Sequence, residues 1–533
     1  MFGDRLKLTL TLVIGGDTFS LSAGSIKHLD VALTPYGFDA EVGFFVSSEV
    51  EPDAIFPRFC TSDLATVTLA IANGRVIFAA AAALPLVLTG HVTERRMREV
   101  VGRRTTGEPV VGRRYIIKFA DPAQVLWRQH RPLDLHVATS MWQVIERHTP
   151  RGMRISHDWP KLDEVLDVLC VGLGGEQEAS FYDFVAWYLH EHHGVLELDP
   201  ATGSYRIGKV KARGGQSLTL EPESIAEIRV LAPEPLRATT TVLNPCTEAA
   251  VLQKPLTNEL AAPGVRVGVF AHTLVASRFD ERVQIETERL VPGEHRLEVT
   301  YKACPEAFRA PGQRMTPGDE LSHQLYGFGK EYRLIEVNLH AREMHDGDGE
   351  QDLEAETAAY DIELRSLLEL SSDPTPRLPS FRRPHYPVMV EGRVLSVVGQ
   401  EQDRTFHALE GESDSLYRYR INIPLWDKIV VAPFVPGGLT GHFFFPAYKE
   451  QRVLVALDFD SARISSFLEW AGKLPRGTQG DQLVLGWNAR SETVVRHVYD
   501  ENKPVLEVAR RQDSDTETVV LSEGTIFMRV KEE

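Results

Sequence analysis

Cysteine is scarce: 533 residues hold four, Cys60, Cys170, Cys246 and Cys304, far apart and without a CxxC pair. That excludes a disulfide framework and a zinc site built of cysteine alone, and the four read as small buried hydrophobes in a reducing compartment. Long apolar runs are also lacking. The longest, from Val76 to Leu88, falls short of the ~18 residues that span a bilayer, and Pro85 interrupts it. Nor does the chain begin with an apolar leader. Leu6, Leu8, Leu10 and Leu12 alternate with Lys7, Thr9 and Thr11, which fits a strand. The expectation is cytoplasmic synthesis and folding, with any export left to a machine rather than a signal sequence. Positive charge is outweighed, 58 lysines and arginines against 75 acidic residues, a net charge of −17. Non-specific attraction to nucleic acid or to an anionic membrane is therefore disfavoured.

What is present belongs to an ordinary globular chain, 43% hydrophobic and 25% charged. Its length suits three or four domains of ~150 residues each. Period-two patterning dominates. From Leu416 to Asp427 the residues Tyr417, Tyr419, Ile421 and Ile423 alternate with Arg418, Arg420 and Asn422, an amphipathic strand that Pro424 ends. Short strands around it, at 388–398, 442–446 and 452–459, with punctuation at Pro436-Gly437-Gly438 and Gly441, suggest a small barrel of the OB type.

The first part of the chain also reads as mostly β, with strands expected at 6–14, 40–46, 64–72, 76–82 and 115–119 and a tight turn at Asn73-Gly74. Arg95, Arg96, Arg98, Arg103, Arg104, Arg113 and Arg114 are diluted by Glu94, Glu99 and Glu108, with Tyr115 as the one aromatic nearby. A solvated hairpin rim fits them better than a nucleic-acid patch. Two helices follow. Ser140 and Gln143 form a capping-box pattern ahead of Met141, Val144, Ile145 and His148, and Pro150 stops the helix. Ser180 and Asp183 cap a second, in which Phe181, Phe184, Val185, Tyr188 and Leu189 share a face to be buried against a sheet. Gly194 ends it. Residues 205–340 read as a second β-rich lobe with turns at Pro292-Gly293 and Pro317-Gly318. A helix is expected over 353–370 on the strength of Ala358, Leu364, Leu367 and Leu368. A proline-rich, stiff spacer follows at 371–387. After the barrel, the tail holds short strands at 494–498, 505–508, 518–521 and 526–530. They are too few to bury much surface alone, so the tail needs a partner, such as copies of itself.

Motifs for chemistry fall short. His190-Glu191-His192-His193 lacks the i, i+4 histidine pair of a zinc-protease helix and reads as the exposed polar end of a helix, with His193 suited to the negative helix terminus. The run from Asp346 to Asp352 lacks the glycine and glutamate that a calcium loop wants at its sixth and twelfth positions, which hold Gln351 and Thr357. Gly172-Leu-Gly174-Gly175 is no dinucleotide fingerprint. No GxSxG is present, and nothing pairs two carboxylates for glycoside hydrolysis. The expectation is a protein without an active site, cofactor or metal.

Taken in order, the parts resemble the VgrG-like spike and hub proteins of contractile injection systems: type VI secretion, extracellular injectors and contractile phage baseplates. The likeness rests on Gly90-His91-Val92-Thr93 with Tyr115-Ile116-Ile117-Lys118-Phe119 and Val125-Leu126-Trp127; on Ser140-Met141-Trp142-Gln143-Val144-Ile145; on the helix from Glu178 to Leu189 with His193-Gly194-Val195; on Val390-Glu391-Gly392-Arg393-Val394 after the prolines; on Tyr419-Arg420-Ile421-Asn422-Ile423-Pro424-Leu425-Trp426-Asp427; and on Leu485-Gly486-Trp487-Asn488.

The resemblance implies a mainly β fold with a few helices: a two-lobed β-barrel hub at 1–370, a connector at 371–387, an OB barrel at 388–475, and the short start of an intertwined triple-stranded β-helix at 476–533. It implies a homotrimer that meets an inner tube protein, baseplate wedge proteins and a PAAR-like tip or effector cargo, with no nucleic acid. A needle this short would be blunt or completed by a separate protein. Tyr419, Ile421, Ile423, Pro424 and Trp426 are the expected trimer or barrel packing residues, and Phe181, Phe184, Val185 and Tyr188 the expected hub helix packing. The competing reading is an OB-fold enzyme or binder acting on cell-wall polysaccharide or nucleic acid, for which Tyr417, Tyr419, Arg418 and Arg420 would have to form one groove.

Overall fold

The computed structural model describes residues 4–47, 52–75, 85–103, 109–174, 179–246, 249–273, 275–319, 321–344, 352–398, 406–410, 417–434, 446–468, 481–487, 491–501 and 503–532. The expected strands at 76–82 and 442–446 (save Pro446), the punctuation at 436–441 and the acidic run at 346–351 lie outside these residues. The chain forms two compact units. One comprises residues 1–131, 145–163 and 173–384; the other comprises 132–144, 164–172 and 385–533.

In the first unit, eight strands close on themselves. Tyr332–Glu343, Ile26–Thr34, Gly37–Ser47, Pro109–Ala120, Leu86–Arg103, Ala65–Asn73, Asp4–Ile14 and Thr357–Leu370 pair in that order, and the last returns to the first. Closure gives every strand of the ring a partner on both sides over at least part of its length. Alternation does the rest: Leu6, Leu8, Leu10, Leu12 and Ile14 are wholly buried, while the residues between them face outward. Two strands of this ring, Tyr332–Glu343 and Thr357–Leu370, run on into a second group with Arg296–Tyr301, Ile225–Leu231, Arg314–Pro317 and Leu218–Leu220. The ring is thus continued by a second group of strands in the same sheet.

The helix expected over 353–370 is instead the strand Thr357–Leu370, paired from Tyr332↔Leu370 to Glu343↔Tyr360. Ala, Glu and Leu favour helix intrinsically, but Tyr360, Leu364, Ser366 and Leu368 are buried at every second residue or its multiple, and a two-sided ladder overrides the propensity. A helix not foreseen, Ala276–Arg289, lies in the second β-rich stretch. There Phe279 packs with Val242 and Leu256 over a three-stranded sheet.

Both capped helices form. In Met141–Arg147 the Ser140 N–H donates to Gln143 Oε1 at 3.1 Å and the Gln143 N–H to Ser140 Oγ at 3.3 Å. In Phe181–Glu191 the Asp183 N–H donates to Ser180 Oγ and the Ser180 N–H to Asp183 Oδ2, at 3.3 and 2.8 Å.

The proline-rich stretch is fastened to the unit that precedes it. Through residue 384 it belongs to the first unit. Its fastening is Glu369, a wholly buried carboxylate that accepts from Lys211 Nζ and, at 3.1 Å, from Arg377 Nε, with Arg333 at 3.7 Å. Lys211 also donates to the Asp373 carbonyl at 3.0 Å. Burial lowers the Lys211 pKa, against the pull of Glu369.

The second unit contains the small barrel. Lys428–Pro433, Tyr417–Ile423, Val388–Leu395, Arg452–Leu457 and Ala462–Phe467 pair in that order, and a Phe434↔Ile464 bridge joins the ends. This five-stranded closure is the OB arrangement. Two strands from far earlier in the chain, Leu133–Ser140 and Val165–Gly172, add Leu135, Val168 and Cys170 to its core. Cys170 N donates to the Phe459 carbonyl at 2.9 Å, and Tyr386 Oη to the Cys170 carbonyl at 2.7 Å. All four cysteines are free; Cys170 is the buried hydrophobe expected, whereas Cys60 is exposed.

Candidate functional site: an unpartnered strand ladder

Five strands form the tail: Asp481–Trp487, Ser491–Asp500, Lys503–Gln512, Asp515–Ser522 and Thr525–Lys531. Each pairs antiparallel with the next. They are longer than the sequence signals suggested, because two-residue turns carry the ladder through the polar breaks. At Glu523-Gly524 both residues have positive φ, 51° and 76°, as a type I′ hairpin turn requires. A single sheet cannot bury both of its faces. Val494, Val505 and Ala509 are buried, but Leu483, Leu506, Val508 and Leu521 are 37–41% exposed. The last strand is exposed along its whole length: Ile526 62%, Phe527 59%, Met528 79%, Val530 66%. It is also an edge, bonded on one side to Asp515–Ser522 and on the other to no described strand. Ion pairs such as Arg510–Glu517 at 3.0 Å decorate the sheet but are exposed and contribute little. An apolar strand with an open edge is what another chain would cover.

The residues expected to matter in the barrel strand divide between inside and outside. Tyr419, Ile421 and Ile423 are in the barrel's own core. Pro424 and Leu425 form an exposed turn, and Trp426 is half-buried, its Nε1 donating to the Leu133 carbonyl at 3.0 Å. The outward face instead carries Arg418, Arg420 and Asn422 beside Ile429 and Val431, which are about two-fifths exposed. Alternation in 428–433 held that signal, since Val430 and Ala432 point in and their neighbours must point out. Tyr419 is thus closed to a stacking base, and the Tyr–Arg groove of the competing reading is not assembled.

The four hub helix residues share one buried core. Phe181, Phe184, Val185 and Tyr188 are at most 4% exposed. Phe181 meets Trp127 edge-on at 5.3 Å and lies tilted against Phe184 at 5.7 Å.

At the far end of this helix, His190 to His193 are half-buried rather than exposed. The helix Ala276–Arg289 packs there, and Arg282 donates to Glu191 Oε2 at 2.9 Å. Burial alone would raise the Glu191 pKa, but hydrogen bonds from His190 and Arg282 and the charge of Arg289 hold it at about 2. Burial and the neighbouring Lys161 push His192 down to about 4. Burial and Lys209 do the same to His193, so it is a neutral ring and not the cation that a helix terminus would attract. The arrangement is a structural clasp.

No helix among the described residues is long and apolar enough to cross a membrane. No family model matches the sequence, and no curated protein does. Solved structures do, by fold. The fold is that of chains in PdpA–VgrG complexes. A chain of the lidless PdpA–VgrG complex superposes with a TM-score of 0.74 at 12% identity, over 100% of this chain and 99% of that one. A chain of the half-lidded Francisella PdpA–VgrG complex gives 0.74 at 12% identity over 99% of this chain and 88% of its own, and a chain of the lidded form gives 0.73 at 11% over 99% and 80%. The likeness of the mainly β fold thus runs the whole length of the chain.

Proposed function

We propose that this chain is the central hub and spike of a contractile injection apparatus, a structural homotrimer with no active site. In this reading the two-lobed hub joins the inner tube and the baseplate wedge proteins, the OB barrels pack about the threefold axis, and the tails intertwine toward the tip. A PAAR-like tip protein or an effector completes the short needle as cargo. The particle is assembled in the cytoplasm and delivered across membranes as a whole.

The observation that carries the reading is the likeness of fold over the full length of both chains. The exposed last strand supports trimer formation specifically, because two further copies would supply both the missing edge and a cover for Ile526, Phe527, Met528 and Val530. Negative-stain electron microscopy of the purified chain tests the proposal. Class averages with threefold symmetry and an axial projection are expected. Single asymmetric particles, or release of reducing sugar from cell-wall glycan, would count against it.

A further inference from the structure

The long hairpin Leu86–Arg103/Pro109–Ala120 contains a charge arrangement that the hub fold does not require. Arg98 stands directly opposite Arg114 in the register. Like charges facing each other across an antiparallel pair are destabilising. The neighbouring pair on the other face shows the usual solution, with Arg113 opposite Glu99 and donating to it at 3.1 Å. Arg96 lies on the same face as Arg98, and so does His28 of the adjoining strands, over Gly43. These side chains rim a cavity of about 410 Å³ with Phe44, Met97 and Ile116 among its lining. Gly43 keeps it shaped, because a Cβ there would overlap the His28 ring. Nearby acids are largely engaged: Glu343 with Lys27 at 2.7 Å, Glu41 with His28 at 3.3 Å, and Glu94 with Arg96 and Lys118. Arg98 is exposed and has no acidic partner among the described residues.

A second observation concerns the backbone. Ala65–Asn73 covers the outer edge of Leu86–Arg103 only as far as the pair Thr66↔His91. Arg95 then reaches across to the carbonyls of Phe59 and Thr61, at 3.3 and 2.9 Å. From Arg96 to Arg103 that edge has no strand partner among the described residues, and Val101 on it is 79% exposed.

We propose that this edge and the cationic cavity beside it form one docking site for an extended acidic segment of a partner protein, added as a further strand. Main-chain bonds to the edge would give affinity, and an acidic side chain on the outward face of the added strand would meet Arg98, with Arg114 next in the same cross-strand row. An apolar side chain next to it in the strand would point to the other face of the sheet, on the side of Met97 and the exposed Val101. Nucleic acid is the poorer match. Glu41, Glu94 and Glu99 stand among the arginines, and Tyr115 is wholly buried and stacked on Phe44 at 5.0 Å, so no ring is offered to a base.

The test uses the full-length protein and a labelled probe peptide that alternates glutamate with valine, with a lysine–valine peptide as control. Fluorescence anisotropy should show saturable binding of the acidic probe alone. Arg98→Glu should weaken it by roughly tenfold, about one charge-assisted contact. Arg266→Glu, the same charge change at an exposed site elsewhere in the unit, should leave it unaltered. Hydrogen exchange should slow at residues 96–103 when the probe binds. Equal binding of both peptides, an Arg98→Glu variant as tight as the parent, no saturable binding, or exchange unchanged at 96–103 would each overturn the site as described. Displacement of the probe by single-stranded DNA at equal charge would assign the surface to nucleic acid instead.

Discussion

The eight-stranded ring and the tail are made of the same material, antiparallel strands of alternating residues, yet they reach opposite states. In the ring, the strand Asp4–Ile14 has neighbours on both sides, and its five inward side chains are wholly buried. In the tail, the strand Thr525–Lys531 has one neighbour and is exposed throughout. Composition does not separate them, since Ile526, Phe527, Met528 and Val530 are as apolar as Leu6, Leu8 and Leu10. Topology does. The ring's last strand returns to its first, so one face of each strand is buried, whereas the tail's ladder is open at its last strand. A closed sheet stabilises itself, and an open apolar one is completed by another molecule.

The comparison can be broken from the ring side with the largest effect. Leu69→Asp places a carboxylate where the parent residue is 0% exposed, and should cost more than about 4 kcal/mol, leaving insoluble protein or a lost thermal transition. Next is the clasp that fastens the proline-rich stretch. Glu369→Ala leaves Lys211, Arg333 and Arg377 around an empty position and should cost about 3 kcal/mol, with faster proteolysis within 371–384.

Acid should act on the same unit. His192 and His193 are held near 4 in the fold, so between their unfolded value and about 4 the unfolded chain binds more protons. Stability is therefore present above about pH 6.5 and is lost as pH falls toward 4. Glu191, held at about 2, extends the loss below its ordinary range. His192→Gln should flatten the upper part of a plot of melting temperature against pH. The smallest effect on the isolated chain belongs to the tail. Met528→Asp, at 79% exposure, should change monomer stability by no more than about 0.5 kcal/mol while weakening self-association, as sedimentation would show.

Much of this was legible in the residues. Leucines at every second position marked the first ring strand, and Ser180 with Asp183 marked the start of the hub helix. Tyr419, Ile421 and Ile423 showed the inner face of the barrel. What escaped were features set by partners distant in sequence. The strand Thr357–Leu370 has helix-forming composition and becomes a strand because Tyr332–Glu343 and Arg296–Tyr301 flank it. The barrel takes Leu135 and Cys170 from more than two hundred positions upstream of its own strands, which no local pattern announces. Polar spelling made His190 to His193 look like a solvated helix end, until Arg282 and Arg289 arrived from another helix. In the candidate interface, alternation told which residues leave the core, but not that Thr525–Lys531 would remain an edge.

The most direct test is solution mass by light scattering across a dilution series. One chain is 59.7 kDa. The expected particle has three times that mass, about 179 kDa, persists on dilution and falls to the single-chain mass when residues 481–533 are removed. A full-length chain that stays at 59.7 kDa at every concentration, with its last strand uncovered, would contradict the trimeric hub.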